Sequence, residues 1–274
     1  MRALSPALRT GLALLGPDTR IADRGDYLRV ETPSQPSFFF GTLLVFRRPP
    51  RRGDDERWRA LLRAEFADTP AMRHETFAWE GGDPAPEALA GFVAAGFEYQ
   101  RDELLACAAV APPARPAGHV TVRALDGDTD WRAVSALETF EPPWGVSHAA
   151  YREFVVCRMA ARRALVEAGM GHWFGAFLPD GRLVANLGLF VVDGLARFQG
   201  VGTHAEHRRR GIASTLVHAA ASRIASERAP ERFLIVADPD GPAIGLYRAL
   251  GFQRAGGNWG LVRPPAADAA PTGA

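Results

Sequence analysis

The stretch EHRRRGIAST, residues 206 to 215, sets Arg208, Arg209 and Arg210 directly before Gly211, at the start of an apolar-periodic run. Neighbouring like charges repel and glycine is a poor helix former, so two costs fall in one place. Both costs make sense in a loop built for an anion. A helix N-terminus presents unpaired N–H groups and the positive end of the macrodipole. Glycine lets the backbone approach a ligand or take a dihedral closed to other residues. The arginines add fixed charge and a fork that matches phosphate oxygens. Gly211 and Ala213, both small and at the helix start, leave room for a pyrophosphate. The plain alternative is a solvated basic loop capping a surface helix.

Other chemistry is thinner. His204 and His207 give two metal ligands three residues apart, with no Cys or HExxH element beside them, so no metal is expected. All 32 basic residues are Arg, which excludes a Schiff-base lysine and a Walker-type phosphate lysine. Cys107 and Cys157 lack CxxC spacing and read as structural thiols of a reducing compartment. A net charge of +1 supplies no field toward nucleic acid or acidic membrane. The apolar run near the N-terminus is too short to span a bilayer, and Arg9 interrupts what precedes it. A cytoplasmic protein is expected.

These residues need elements to hold them. VAPPARPAGH, rich in Ala and Pro, reads as a linker over residues 110–118. It separates a region 1–109 from a region 119–263, followed by a disordered tail 264–274. In the later region HVTVRAL reads as a strand and DTDWRAVSALETF as a helix capped by Asp128 or Thr129. A second helix follows, opened by Ser147 and stopped by Gly169. HWFGAFL, LVANLGLFVV and ARFQGVGT read as strands joined by turns at PDGR and DG. Ile212, Leu216, Ala220 and Ile224 share one face of the next helix. RFLIVAD (strand), PAIGLYRALG (helix) and LVR (strand) close the order β-α-α-β-β-β-α-β-α-β.

The run from Arg208 to Ala213 fits Q or R, two residues, Gly, one residue, Gly or Ala. It follows a strand, opens an amphipathic helix and is trailed by LYRALGF. In these features residues 119–263 resemble the GCN5-related N-acetyltransferase superfamily. The resemblance implies an α/β (α+β) fold, with a mixed, mainly antiparallel central sheet flanked by helices. It implies acetyl-CoA as acyl donor. The pantetheine arm would pair with a bulged strand at Val201, Gly202 and Thr203. The pyrophosphate would rest on the N–H groups from Arg209 through Arg210, Gly211, Ile212 and Ala213 to Ser214, with Arg208 the signature residue.

Tyr247 aligns with the family's tyrosine that protonates the departing thiolate; otherwise it is a core residue beside Leu246 and Leu250. Asp240 stands where the family often has a cofactor-contacting Asn and lacks the amide donor. The general base is open. LARFQG carries no carboxylate, and Gln199 can only position a water. The segment FEPPWGVSH borders the acceptor site in the family, which makes Glu141 the candidate base and Trp144 and His148 acceptor contacts. Glu138 reads as a solvated helix residue.

The earlier region repeats part of this. SFFFGTLLVF reads as a strand, DDERWRALLRAEF as a helix, HETFAWE as a strand, APEALAGFVAAGF as a helix and ELLACAAV as a strand. GFVAAGFEYQ is laid out like LYRALGFQRA, with Phe92 where the later copy has Tyr247. The counterpart of the phosphate loop is read as absent, because Asp54 and Asp55 after Gly53 would repel a pyrophosphate. A tandem of two such domains is expected, the first having lost its cofactor site; an unrelated α/β domain is the alternative. An N-acetyltransferase acting on a primary amine leads. A non-catalytic acyl-CoA-binding or sensor protein and an interaction protein with a relic loop remain open. No nucleic acid or membrane partner is expected; a homodimer is common in the family.

Overall fold

A computed structural model describes residues 4–140 and 148–265. In chain order its elements are α1 (Pro6–Ala13), β1 (Arg20–Asp23), β2 (Tyr27–Glu31), β3 (Leu43–Phe46), α2 (Asp54–Glu65), β4 (Glu75–Trp79), α3 (Pro86–Ala94) and β5 (Glu98–Cys107). There follow β6 (Thr121–Ala124), α4 (Gly127–Glu138), α5 (His148–Glu167), β7 (Gly171–Phe177), β8 (Leu183–Val192) and β9 (Leu195–Thr203). A 3₁₀ turn (Ala205–His207), α6 (Ile212–Arg228), β10 (Arg232–Ala237), α7 (Ile244–Ala249) and β11 (Gln253–Arg263) complete the order. The order expected over 119–263 is present. In the earlier half α1, β1 and β2 were not anticipated, and the strand expected from Ser37 starts only at Leu43.

The chain divides into two compact units, one of residues 1–17 and 102–257, the other of residues 18–101 and 258–274. The division does not fall at 110–118, and exchanged strands explain why. In the first unit the parallel strand β10 takes β5, from the earlier half, as its antiparallel neighbour. In the second, β4 takes β11, from the later half. The linker is strapped down as well. Ala111 N donates to Leu250 O, Ala117 N donates to Thr215 Oγ1, and a ring nitrogen of His218 meets Val110 O.

The first unit's sheet runs β6-β7-β8-β9-β10-β5, antiparallel except at β9–β10. One face packs on α6 and α7. Ile212, Leu216, Ala220 and Ile224 are each within 1% of complete burial, the face their spacing requires. Each large aliphatic side chain there contributes about 2 kcal/mol from burial. Trp131 and Val134 of α4, Val155 and Met159 of α5 and Leu14 form a second cluster with Trp173 and Phe190. Helix α4 starts at Gly127, so Asp128 and Thr129 lie inside its first turn. The Asp130 carboxylate reaches back to the N–H of Asp126, which satisfies a donor at the helix start.

The second unit's sheet runs β1-β2-β3-β4-β11, antiparallel except at β3–β4. Its core stacks Trp58 of α2 on Phe46 at 3.6 Å, with Phe77, Phe92 and Phe97 around them. The sequence β1-β2-β3-α2-β4-α3-β5 has the same element types, in the same order, as β7-β8-β9-α6-β10-α7-β11.

Candidate active site

Strands β9 and β10 pair in parallel only over Leu195–Arg197 and Arg232–Leu234, and then part. Beyond that point the β9 edge facing β10 has no strand to pair with, which leaves backbone groups there for a ligand to engage. The opposite edge is bulged. Gly188 faces Gln199 and Asn186 faces Gly202, so Leu187 opposes both Gly200 and Val201. Gly200 takes φ +56°, which re-aims the strand at this point. The split holds a cleft of about 280 Å³, walled by Phe198, Gly200 and Val201 on one side and Ile235 and Ala237 on the other, with Tyr247 against it.

The arginine–glycine loop joins β9 to α6. Arg208 Nε donates to Thr203 O at 3.0 Å, tying the loop to the strand end. Arg209 at φ +61° and Gly211 at φ +76° turn the chain into the helix. The first helical acceptor, Gly211 O, takes the N–H of Thr215, so the N–H groups of Ile212, Ala213 and Ser214 precede the ladder. The side chains of Arg208, Arg209 and Arg210 are exposed beside them. Gly211 has a second reason to be glycine: a Cβ there would lie 2.7 Å from the carbonyl oxygen of Arg115 in the strap.

Tyr247 is 5% exposed, and burial pushes its phenol up to about 12. It therefore keeps its proton throughout the neutral range. Asp240 is exposed in the turn before α7 and does not line the cleft. Asp238 lines it instead, and its Oδ1 accepts the N–H of Asp240.

A second pocket, of about 160 Å³, lies against Gly202 and Thr203 of the same bulged strand. Glu138 lines it, which corrects the reading of this residue as solvated. Its Oε1 accepts from Asn186 Nδ2 at 2.8 Å, and Asn186 Oδ1 accepts from the buried Trp173 Nε1 at 2.9 Å. Burial holds the Glu138 carboxyl above its ordinary range, opposed by the Asn186 hydrogen bond and by Arg158. The sequence held a signal for this placement: Glu138 is three and four residues beyond Ser135 and Val134, and seven beyond Trp131, on the buried stripe of α4.

Gln199 is otherwise engaged, its Oε1 accepting from Arg162 Nη2 at 3.0 Å while Arg162 also donates to Leu14 O. His148 is exposed at the start of α5, and Glu141 and Trp144 lie outside the described residues. Glu206 adds a third donor to His204 and His207, all within 4.8 Å of one another, where two had been counted. Burial, with Arg210 and Arg182, lowers the His207 pKa, a positive field that works against a cation. Cys157 is exposed on α5, unlike a packed structural thiol, and burial lifts the Cys107 thiol to about 11.

The second unit repeats the loop's backbone. Gly53, after Arg51 and Arg52, takes φ +86° at the start of α2. The turn of the phosphate loop, read from the sequence as absent here, is present with a carboxylate in it. Asp54 accepts from Arg48 Nη1 at 2.6 Å, Arg48 Nη2 at 3.2 Å and the Arg51 N–H at 2.7 Å. The helix endings also match. Phe97 N donates to Phe92 O at 3.0 Å, and Phe252 N to Tyr247 O at 3.1 Å.

A parallel strand pair that splits beside a bulge, followed by a left-handed glycine turn into a helix, defines an acyl-CoA N-acyltransferase type of fold. Residues 131–252 match the acetyltransferase (GNAT) family model. Among solved structures, a functionally unknown conserved protein from Staphylococcus epidermidis is similar at 14% identity and a TM-score of 0.70, covering 91% of this chain and 95% of that one. A GCN5-related N-acetyltransferase from Kribbella flavida is similar at 20% identity and a TM-score of 0.62, covering 96% and 97%. A tandem GNAT protein from the clavulanic acid biosynthesis pathway is similar at 15% identity and a TM-score of 0.55, covering 97% and 90%. No curated protein matches the chain. Among the described residues no helix is long and apolar enough to cross a membrane.

Proposed function

We propose that the first unit transfers an acetyl group from acetyl-CoA to a primary amine. The observation that carries this reading is the β9–β10 split, bulged at Gly200 and Val201, leading directly into the Gly211 loop. Pyrophosphate oxygens would take the N–H groups of Ile212, Ala213 and Ser214, with Arg208, Arg209 and Arg210 supplying charge. The pantetheine arm would lie in the split against Val201–Thr203, where β9 has no strand partner on the β10 side. Backbone N–H groups of that edge would steady the oxyanion formed as the amine attacks the thioester carbonyl.

Tyr247, against that cleft, would stand beside the departing sulfur. With the phenol near 12 and a thiol near 8.5, complete transfer of its proton is uphill by about 5 kcal/mol. Its role is therefore a hydrogen bond to the forming thiolate more than an early proton transfer. In the second unit Asp54 supplies an internal anion where a phosphate would sit, which supports a degenerate copy without a donor site.

Calorimetric titration of the intact chain with acetyl-CoA, paired with a free-thiol assay on primary amines, tests the reading. Binding that Gly211→Glu abolishes is the expected result. Absence of binding by the wild type would overturn it.

A further inference from the structure

Alkylammonium groups must lose a proton before they attack a thioester, and β9 carries no carboxylate to take it. At pH 7 only about one alkylamine in a few thousand is neutral. The described wall of the second pocket holds a carboxylate with unusual support. Oε1 of Glu138 lies 3.3 Å from where a Cβ on Gly202 would stand, beside the bulged strand itself. A side chain at 202 would crowd it, so the glycine admits the carboxylate to the backbone of the bulged strand. Asn186 fixes it, and the Trp173 indole fixes Asn186 from the core. Such a chain of hydrogen bonds, anchored in packed structure, orients one group at the cost of no mobile side chain.

We propose that Glu138 accepts the proton of the acceptor ammonium, with Asn186 as its positioning residue. This rests on the transferase reading above. Two protons leave the nitrogen: Glu138 takes the first and releases it to solvent, and the second ends on the CoA sulfur beside Tyr247. The C–N bond forms as the C–S bond breaks, giving the amide, the CoA thiol and one proton. The charged and titratable groups facing Glu138 are Tyr151 and Arg158 on α5 and His204 and Arg208 after β9. Burial and the Glu138 charge raise the Tyr151 phenol, so it stays neutral beside the carboxylate. Phe140, its ring tilted against His204 with centroids 4.3 Å apart, gives the same pocket an apolar wall for the carbon chain of an amine.

The experiment follows thiol release from acetyl-CoA with two probe amines, butylamine and trifluoroethylamine, in wild type, Glu138→Gln and Asn186→Leu. Glu138→Gln is expected to bind acetyl-CoA like the wild type and to lose about 10²–10⁴-fold in kcat with butylamine. Its loss with trifluoroethylamine, largely neutral at the assay pH, is expected to be much smaller. Asn186→Leu removes a donor to the charged carboxylate. It should move the acid limb of the pH profile up by about one unit, where a merely structural role would leave that limb in place. Equal losses with both amines, or an unmoved acid limb in Asn186→Leu, would overturn the assignment. So would a wild type that binds acetyl-CoA yet acetylates neither amine, an outcome that leaves the donor site standing. Failure of the wild type to bind acetyl-CoA would instead remove the transferase reading, and this assignment with it.

Discussion

Gly211→Ala and Gly53→Ala, compared side by side, separate what the two matching turns do. Both glycines are left-handed, at φ +76° and φ +86°, so an alanine at either costs about 1–2 kcal/mol of backbone strain. Their surroundings differ. A Cβ at 211 meets the Arg115 carbonyl oxygen at 2.7 Å, whereas a Cβ at 53 meets nothing within 4 Å. The crowded atom is backbone, held by the strap's bond from Ala117 N to Thr215 Oγ1, so relief requires moving chain and adds about 1–3 kcal/mol. The expected destabilisation is about 3 kcal/mol for Gly211→Ala and about 1.5 kcal/mol for Gly53→Ala. At about 2–4 °C per kcal/mol these are shifts of roughly 6–12 °C and 3–6 °C in Tm. Calorimetric melting of the intact chain, with and without acetyl-CoA, measures both. Acetyl-CoA should raise the Tm of wild type and Gly53→Ala alike and raise that of Gly211→Ala much less, because the displaced turn misaligns the N–H groups of Ile212 to Ser214. Equal shifts for the two variants would refute the role of the Arg115 contact. Full protection of Gly211→Ala by acetyl-CoA would refute the turn as its cradle.

Three further outcomes are expected. Tyr247→Phe should lower kcat about 10–10²-fold while leaving acetyl-CoA affinity unchanged; since the phenol stands near 12, it should impose no alkaline limb below pH 11, and a limb near 10 that vanishes in the variant would refute its burial. Asp54→Asn should cost about 1–3 kcal/mol at pH 7, read from urea midpoints. Arg48 and the Arg51 N–H, working against burial, hold that carboxyl below its ordinary value; the contribution is thus present above the unfolded pKa and lost as pH falls through the folded one, so variant and wild type should converge in acid. Arg197→Met should raise stability: the residue is 8% exposed, its Nε and Nη1 have no hydrogen-bond partner among the described residues, and burial lowers its pKa to about 10 despite Asp102. Replacing a buried charge by an apolar side chain of similar volume gains about 1–4 kcal/mol where pairing is poor. A lower Tm for Arg197→Met would show that Asp102 repays the desolvation.

The amino-acid sequence by itself determined the later half's elements, because each carries a local signal. The four-residue spacing from Ile212 to Ile224 requires one buried helical face. Paired turns force β7, β8 and β9 into a meander, and glycine after arginines marks the turn into α6. Those signals depend on neighbours a few residues apart, and so did the likeness of GFVAAGF to LYRALGF.

Tertiary structure decided what depends on distant partners. That β10 takes β5 and β4 takes β11 is a choice among strands far apart in the chain, and no local pattern records it. Gly211 carried a visible reason, its turn, and a hidden one, the Arg115 carbonyl nearly a hundred positions earlier. Asp54 was legible as a charge at a helix start, but its capture by Arg48 and the Arg51 N–H is a matter of folded geometry. Glu138 is the sharpest case. Its place on the inward stripe of α4 was legible at three, four and seven residues from Ser135, Val134 and Trp131, but its hydrogen bond to Asn186, held by Trp173, beside the bulged strand is set by how α4 packs. Charge type and spacing are written in the chain; desolvation and the company a charge keeps are set by the fold.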